Sequence, residues 1–188
     1  HLLSKDQQGV WEVTVKENLS EKYYKYQVKG PQGPGERFND QNLLSDPYAV
    51  ANVHHDGKSL ILPEDYRDEV FSGWTDQEFR TPAMSDLVIS EVSLRDLTMD
   101  VSCAIAPSLK GKYLGLEETL KTDSGLTWLK HLGINALEFL PLQEFDDHPY
   151  GIYHWGYMTT LFFAPESIYA TSPYGKQVTE FKKMVDTL

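Results

Sequence analysis

The spacing of hydrophobic and polar positions changes part-way along the chain. "GVWEVTVK" alternates, with Trp11, Val13 and Val15 on one face and Glu12, Thr14 and Lys16 on the other. "KYYKYQVKG" alternates again through Tyr24, Tyr26 and Val28. The polar "ENLSE" between them has hairpin length, so the two runs read as strands joined by a turn. "GPQGPGERFNDQNLLSDPYAV" follows, rich in Gly, Pro and Asn, and reads as irregular connection. Two strands do not make a stable domain alone. The region therefore reads as the end of a β-sandwich whose earlier strands lie outside the chain.

After Asp86 the period differs. "DLVISEVSLRDLT" is a short, mostly apolar run, the pattern of a strand buried on both faces. "DSGLTWLKHLG" places Leu126, Leu129 and Leu132 at helical spacing, with Asp123 or Ser124 as N-cap and Gly133 as the stop. "INALEFLPL" is a second buried strand. "KQVTEFKKMVDTL" puts Val178, Phe181, Val185 and Leu188 on one helical stripe. Strand, long excursion, helix, strand, long loop, helix is a βαβα order, which predicts a parallel sheet.

The long loop is "YHWGYMTTLFFAPESIYAT", Tyr153 to Thr171. Its aromatics are Tyr153, Trp155, Tyr157, Phe162, Phe163 and Tyr169, and they follow neither the helical nor the strand period cleanly. It reads as an ordered loop placed after the second strand. Functional groups in such sheets collect at the carboxyl ends of strands. The rings are therefore candidates for a ligand surface. Extended backbone would turn Phe162 and Phe163 to opposite sides, one toward the core and one toward a neighbouring loop.

Composition narrows the function classes. A chain of 188 residues with 40% hydrophobic content can bury a real core. A net charge of −11 argues against a nucleic-acid partner, which needs clustered Lys and Arg. Cys103 is the single cysteine, so there is neither a disulfide framework nor a cysteine-based zinc site. No apolar run approaches membrane-spanning length, so no membrane partner is expected. The chain begins at His1 without a leader pattern, the expectation for a processed chain or an internal piece. Oligomeric state and compartment stay open.

"VISEVSLRDLT", "KGKYLGLEE", "LGINALEFLPLQEF" and "HWGYMTTLFFAPESIYAT" occur in the order found in the α-amylase superfamily. They resemble its α-1,6-glucan debranching branch, the isoamylases, pullulanases and glycogen debranching enzymes. Trp-Gly-Tyr followed by Met158-Thr159 is closest to isoamylase, where pullulanases carry Asp-Pro. "GERFNDQNLLSDPYA" resembles that family's connection from its N-terminal sandwich to its barrel. "GVWEVTVKENLSEKYYKYQVKGP" resembles the last strands of the glycogen-binding-type sandwich. The resemblance implies a mixed fold: the C-terminal part of a β-sandwich, then the first two β/α units of a (β/α)8 TIM barrel. By this reading residues 1–66 are the end of the carbohydrate-binding-type module with its connection, 67–85 a linker, and 86–188 the start of the barrel, cut after its second helix.

The same resemblance implies an α-glucan partner and no cofactor; calcium is compatible with the family, but no site for it is identifiable. The family's nucleophile, acid/base and third carboxylate follow later strands, so no catalytic residue is expected in this chain, and the chain alone is expected to be inactive. The family's tyrosine platform beside the sugar falls on Tyr157, with Gly156 allowing close approach of the backbone and Trp155 packing under the loop. His154 reads first as a satisfied loop histidine and second as a sugar contact. The chain departs from the family pattern at Ser93, where histidine is usual, and at His154, where Asn or Tyr is common. Glu91, Arg95 and Asp96 read as structural ion pairing, Glu138 as structural, and "ERFND" as loop anchoring. "DDH" at Asp146 to His148 reads as no metal site, because three adjacent residues cannot face one ion without a special turn. Three functions remain open: part of a debranching hydrolase, a non-catalytic glucan-binding fragment, or an α-1,4-acting or branching enzyme on the same scaffold.

Overall fold

The structure, a computed structural model, describes residues 1–66, 72–74, 78–149, 152, 154–172 and 174–188. The expected linker lies partly outside them, and so does Tyr153.

The N-terminal part is built of two-residue strands. β1 (Ser4–Lys5) pairs antiparallel with β2 (Trp11–Glu12), with Lys5 opposite Trp11. The Asp6 carboxylate closes the turn by accepting from the amides of Gln8 and Val10, both at 2.8 Å. β3 (Tyr23–Tyr24) and β4 (Tyr26–Gln27) pair forward instead of back. The partner of β4 is β5 (Leu43–Leu44), and the partner of β3 is β6 (Ser59–Leu60). The hairpin expected through "ENLSE" is therefore absent among these strands. The upstream Asp6 turn takes up β2, and Glu21, at φ 62°, turns the chain so that its amide donates to the Ile61 carbonyl at 2.8 Å.

The C-terminal part holds the core. β7 (Ile89–Val92) and β8 (Ala136–Phe139) are parallel neighbours, with Ile89 opposite Ala136 and Val92 opposite Phe139. Asn135 clamps their entry: its Oδ1 accepts from the Val88 amide at 2.7 Å and its Nδ2 donates to the Asp86 carbonyl at 2.9 Å. Among the described residues of this part the α-helices are α1 (Asp96–Met99), α2 (Tyr113–Thr119), α3 (Leu126–His131) and α4 (Lys176–Thr187). Leu94, Tyr113, Leu116, Leu126, Phe145, Tyr169, Ala170 and Met184 form one buried cluster, with Leu137, Phe139 and Phe181 packed against it.

Three details depart from the sequence expectations. First, β7 and β8 are packed on one face only. Ile89, Glu91 and Glu138 are exposed, because among the described residues no element covers that side. Second, the residue that precedes α3 at the cap position is Gly125, at φ 54°, not Asp123 or Ser124. Thr119 Oγ1 instead accepts from the Leu126 amide at 3.1 Å. Gly133, at φ 83°, does end that helix as expected. Third, α4 buries Gln177, Glu180 and Met184, while Val185 and Leu188 are exposed. The polar pair is held in place by bonds: Gln177 Nε2 donates to the Asn52 carbonyl at 2.9 Å, and Glu180 accepts from the Thr171 amide at 2.8 Å.

The aromatic loop is also more regular than expected. β9 (Gln143–Phe145) pairs antiparallel with β10 (Thr159–Pro165), with register shifts along β10. These irregularities leave both Phe162 and Phe163 exposed, so neither ring enters the core. Phe163 stacks on Tyr48 instead, with centroids 5.6 Å apart and planes at 19°.

Candidate functional site

The site is built where β7 and β8 end. Val92 closes β7 and Leu140 follows β8, so their carboxyl ends lie side by side. Trp155 to Tyr157 return over this edge. Gly156 sits at φ 88°, and a Cβ there would meet the Pro141 carbonyl oxygen at 2.8 Å and the Phe145 ring at 3.3 Å. Only a residue without a side chain lets the loop press this closely onto the 141–145 segment. That approach projects the rings on either side of it outward.

An open cavity of about 420 Å³ results, lined by Glu91, Val92, Ser93, Asp96, Leu140, Trp155 and Tyr157. Trp155 and Tyr157 are each 64% exposed, so Trp155 lines the cavity and does not pack under the loop. The Tyr157 hydroxyl donates to Glu91 Oε1 at 3.3 Å. Desolvation first, and then the Glu91 carboxylate, push its pKa above the ordinary phenol value. Glu91 is thus bound to the tyrosine, and the ion pair at this edge joins Arg95 to Asp96 at 3.5 Å. His154 stands behind the cavity, its ring 6.5 Å from that of Phe145 and its Nε2 buried without a partner among the described residues. A second, larger depression of about 720 Å³ lies among Asn18, Ser20, Glu21, Pro63, Glu64 and Asp65 and presents no aromatic ring.

Sequence reasoning missed a buried acidic network beneath the loop. Glu144 and Glu166 are both fully buried. Glu144 accepts from the Ser167 amide at 2.9 Å and from the Ser167 hydroxyl at 3.2 Å. Glu166 accepts from the amides of Phe145 at 3.0 Å and Ile168 at 2.9 Å. Ser167 Oγ also accepts from the His54 amide at 3.2 Å, which ties the residue 50s to the turn after β10. His55 lies between Asp147, 3.1 Å from Nδ1, and Asp146, 3.3 Å from Nε2. The aspartates of "DDH" therefore bracket a distant histidine. Among the described residues no group of three His, Cys, Asp or Glu side chains could hold a metal ion. No local pattern in the sequence marked the network, because its partners lie far apart along the chain.

Burial, then the charge of Glu166, raises the Glu144 pKa; burial likewise raises that of Glu166, with Asp147 adding to it. A carboxyl that binds its proton more tightly when folded contributes stability below its unfolded value, here 4.5, and that contribution is lost as pH rises through the folded value. Lowering pH from about 8 to about 5 is therefore expected to raise the wild-type melting temperature more than that of Glu144→Gln, which has no proton to gain there. Parallel pH profiles for the two proteins would show that Glu144 keeps its ordinary affinity for the proton.

Residues 1–49 match the family described as carbohydrate-binding module 48, the isoamylase N-terminal domain. Isoamylase 3 of Oryza sativa is 34% identical over 205 residues, 95% of this chain and 25% of the relative. The chain is a relative of the isoamylases and pullulanases. Pullulanase of Bacillus subtilis is 36% identical over 156 residues, covering 76% of this chain and 20% of the relative. The crystal structure of type I pullulanase from the same species, complexed with maltose, superposes on 99% of this isoamylase relative and on 26% of itself. Its TM-score is 0.76 at 31% identity. The chain thus spans about a quarter of the length of the curated isoamylases it matches.

Proposed function

We propose that this chain is part of a retaining glycoside hydrolase that hydrolyses α-1,6 branch linkages in glycogen-, amylopectin- or pullulan-type glucans. It supplies the junction between a carbohydrate-binding-type module, residues 1–66, and a (β/α)8 barrel that begins at residue 86, with 67–85 as linker. The parallel β7–β8 pair and its following helices are the barrel's first two units. The observation that carries the reading is the aromatic cavity at the carboxyl end of that pair. Tyr157 is the platform for the sugar ring, Trp155 extends the apolar wall, and His154 supports the loop from behind. A sugar offers an apolar C–H face and a polar rim, which suits a cavity of two exposed rings bordered by Glu91, Ser93 and Asp96.

Hydrolysis with retention needs two carboxylates flanking the scissile bond. Glu144 and Glu166 are not such a pair, since their oxygens are taken up by backbone amides and Ser167 within the interior. The chain's own task is to bind and orient the glucan while residues further along the parent perform the chemistry. In the test, pullulan and amylopectin are incubated with the parent protein and with the 188-residue chain. The parent should release reducing sugar and the chain should release none above a buffer blank. Release by the chain, abolished by mutating one of its carboxylates, would overturn the reading.

A further inference from the structure

Glu91 and Glu138 occupy matched positions on neighbouring parallel strands, so their side chains leave the same face of the β7–β8 pair. Both are exposed on that face, and among the described residues neither makes an ion pair with a basic side chain. Like charges side by side on one face repel and cost stability. Of the two, Glu91 has a hydrogen-bond donor, the Tyr157 hydroxyl, which comes from a loop 66 residues along the chain. The tyrosine is fixed at its other end by Gly156, whose backbone lies against Pro141 and Phe145. A ring held at both its backbone and its tip keeps one face turned to the cavity.

We propose that Glu91 is a positioning residue of the glucan site, which receives the Tyr157 hydroxyl proton in a hydrogen bond and so fixes the plane of the platform ring. The proposal rests on Tyr157 being that platform. Glu91 does not touch the reacting atoms; it acts through the ring. Its charge, backed by that of Glu138, also enriches the electron density of the phenol. An electron-rich face attracts the positive charge that develops on a glycosyl ring during hydrolysis. Glutamate at this position thereby serves turnover at the expense of an unpaired negative charge next to Glu138.

The test is a double-mutant cycle in the parent enzyme on a branched glucan, with Glu91→Ala, Tyr157→Phe and the double variant, and with Glu91→Gln as the conservative control. Glu91→Ala and Tyr157→Phe should each lower kcat about fivefold, with KM little changed, and the double variant should be no worse than either. Glu91→Gln keeps an acceptor and should recover part of the loss. The phenolate absorbance of Tyr157, taken as the difference between proteins with and without that residue, should titrate at lower pH in Glu91→Ala. Additive losses in the cycle, or an unmoved phenol titration, would overturn the positioning role, and Glu91→Gln allows the same judgement should Glu91→Ala fold poorly. Tyr157→Ala separates the two readings. If it leaves kcat intact, the platform itself is refuted; if it lowers kcat while Glu91→Ala does not, only the role of Glu91 falls.

Discussion

Replacing Tyr157 by alanine in the parent enzyme is expected to lower turnover on a branched glucan by about ten- to a hundred-fold. Loss of a flat stacking ring costs on the order of 1–3 kcal/mol, taking base stacking as the guide. If the contact is strongest as the glycosyl ring distorts, that cost falls on kcat and not on KM. The fold has little stake in the side chain, which is 64% exposed and, among the described residues, bonded through its hydroxyl to Glu91 alone. The melting temperature should therefore stay near that of the wild type. Tyr157→Phe keeps the ring face and should lose only about fivefold in kcat, the share of the Glu91 bond. Steady-state kinetics on both variants, with melting curves alongside, provide the check. A normally folded Tyr157→Ala enzyme with full turnover would make Tyr157 a residue of the loop's own packing.

The largest effect on stability is expected at Tyr113. Its side chain is fully buried at the centre of the core cluster. The ring makes edge-on contacts with Tyr169 at 5.8 Å and Phe181 at 5.7 Å, so one side chain joins α2, α4 and the turn after β10. Its hydroxyl donates to the Glu166 carbonyl at 3.0 Å. Tyr113→Ala removes the ring contacts, leaves a cavity between three elements and deprives that carbonyl of a donor. The cost should be about 3–5 kcal/mol. Tyr113→Phe isolates the hydrogen bond and should cost about 1 kcal/mol. Urea unfolding of the two variants against wild type measures both. A Tyr113→Ala variant within about 1 kcal/mol of Tyr113→Phe would mean that the helices close over the gap.

What the sequence revealed depended on how local each signal was. The adjacency of the strands around Val92 and Phe139 was legible, because two short apolar runs separated by a helical pattern have few ways to pair. The end of α3 at Gly133 was legible for the same local reason. The pairing of Trp11 was not. Alternation identifies an extended segment but not its partner, and the deciding groups were the Asp6 carboxylate upstream and Ile61 downstream. The strand within the aromatic loop was masked by its register shifts, which break the alternation that would have marked it. At the site, Tyr157 and Trp155 came from the motif they resemble. Glu91 looked like half of an ion pair until the fold brought the tyrosine to it. Glu144 and Glu166 carried no local mark, since the partners of Glu144 lie 23 residues away and one amide bonded to Glu166 lies 21 away.

The bonds from the residue 50s to the end of the chain also fix an order of events during synthesis. Asn52 waits for Gln177 across 125 residues, and His54 waits for Ser167 across 113. At about 5–20 residues per second, the ribosome delivers those partners roughly ten seconds after the first segment has emerged. Throughout that interval the Asn52 carbonyl lacks Gln177 and the His54 amide lacks Ser167. These bonds cannot both form before the first turns of α4 leave the exit tunnel, so translation speed through residues 60–177 sets how long they stay unmade.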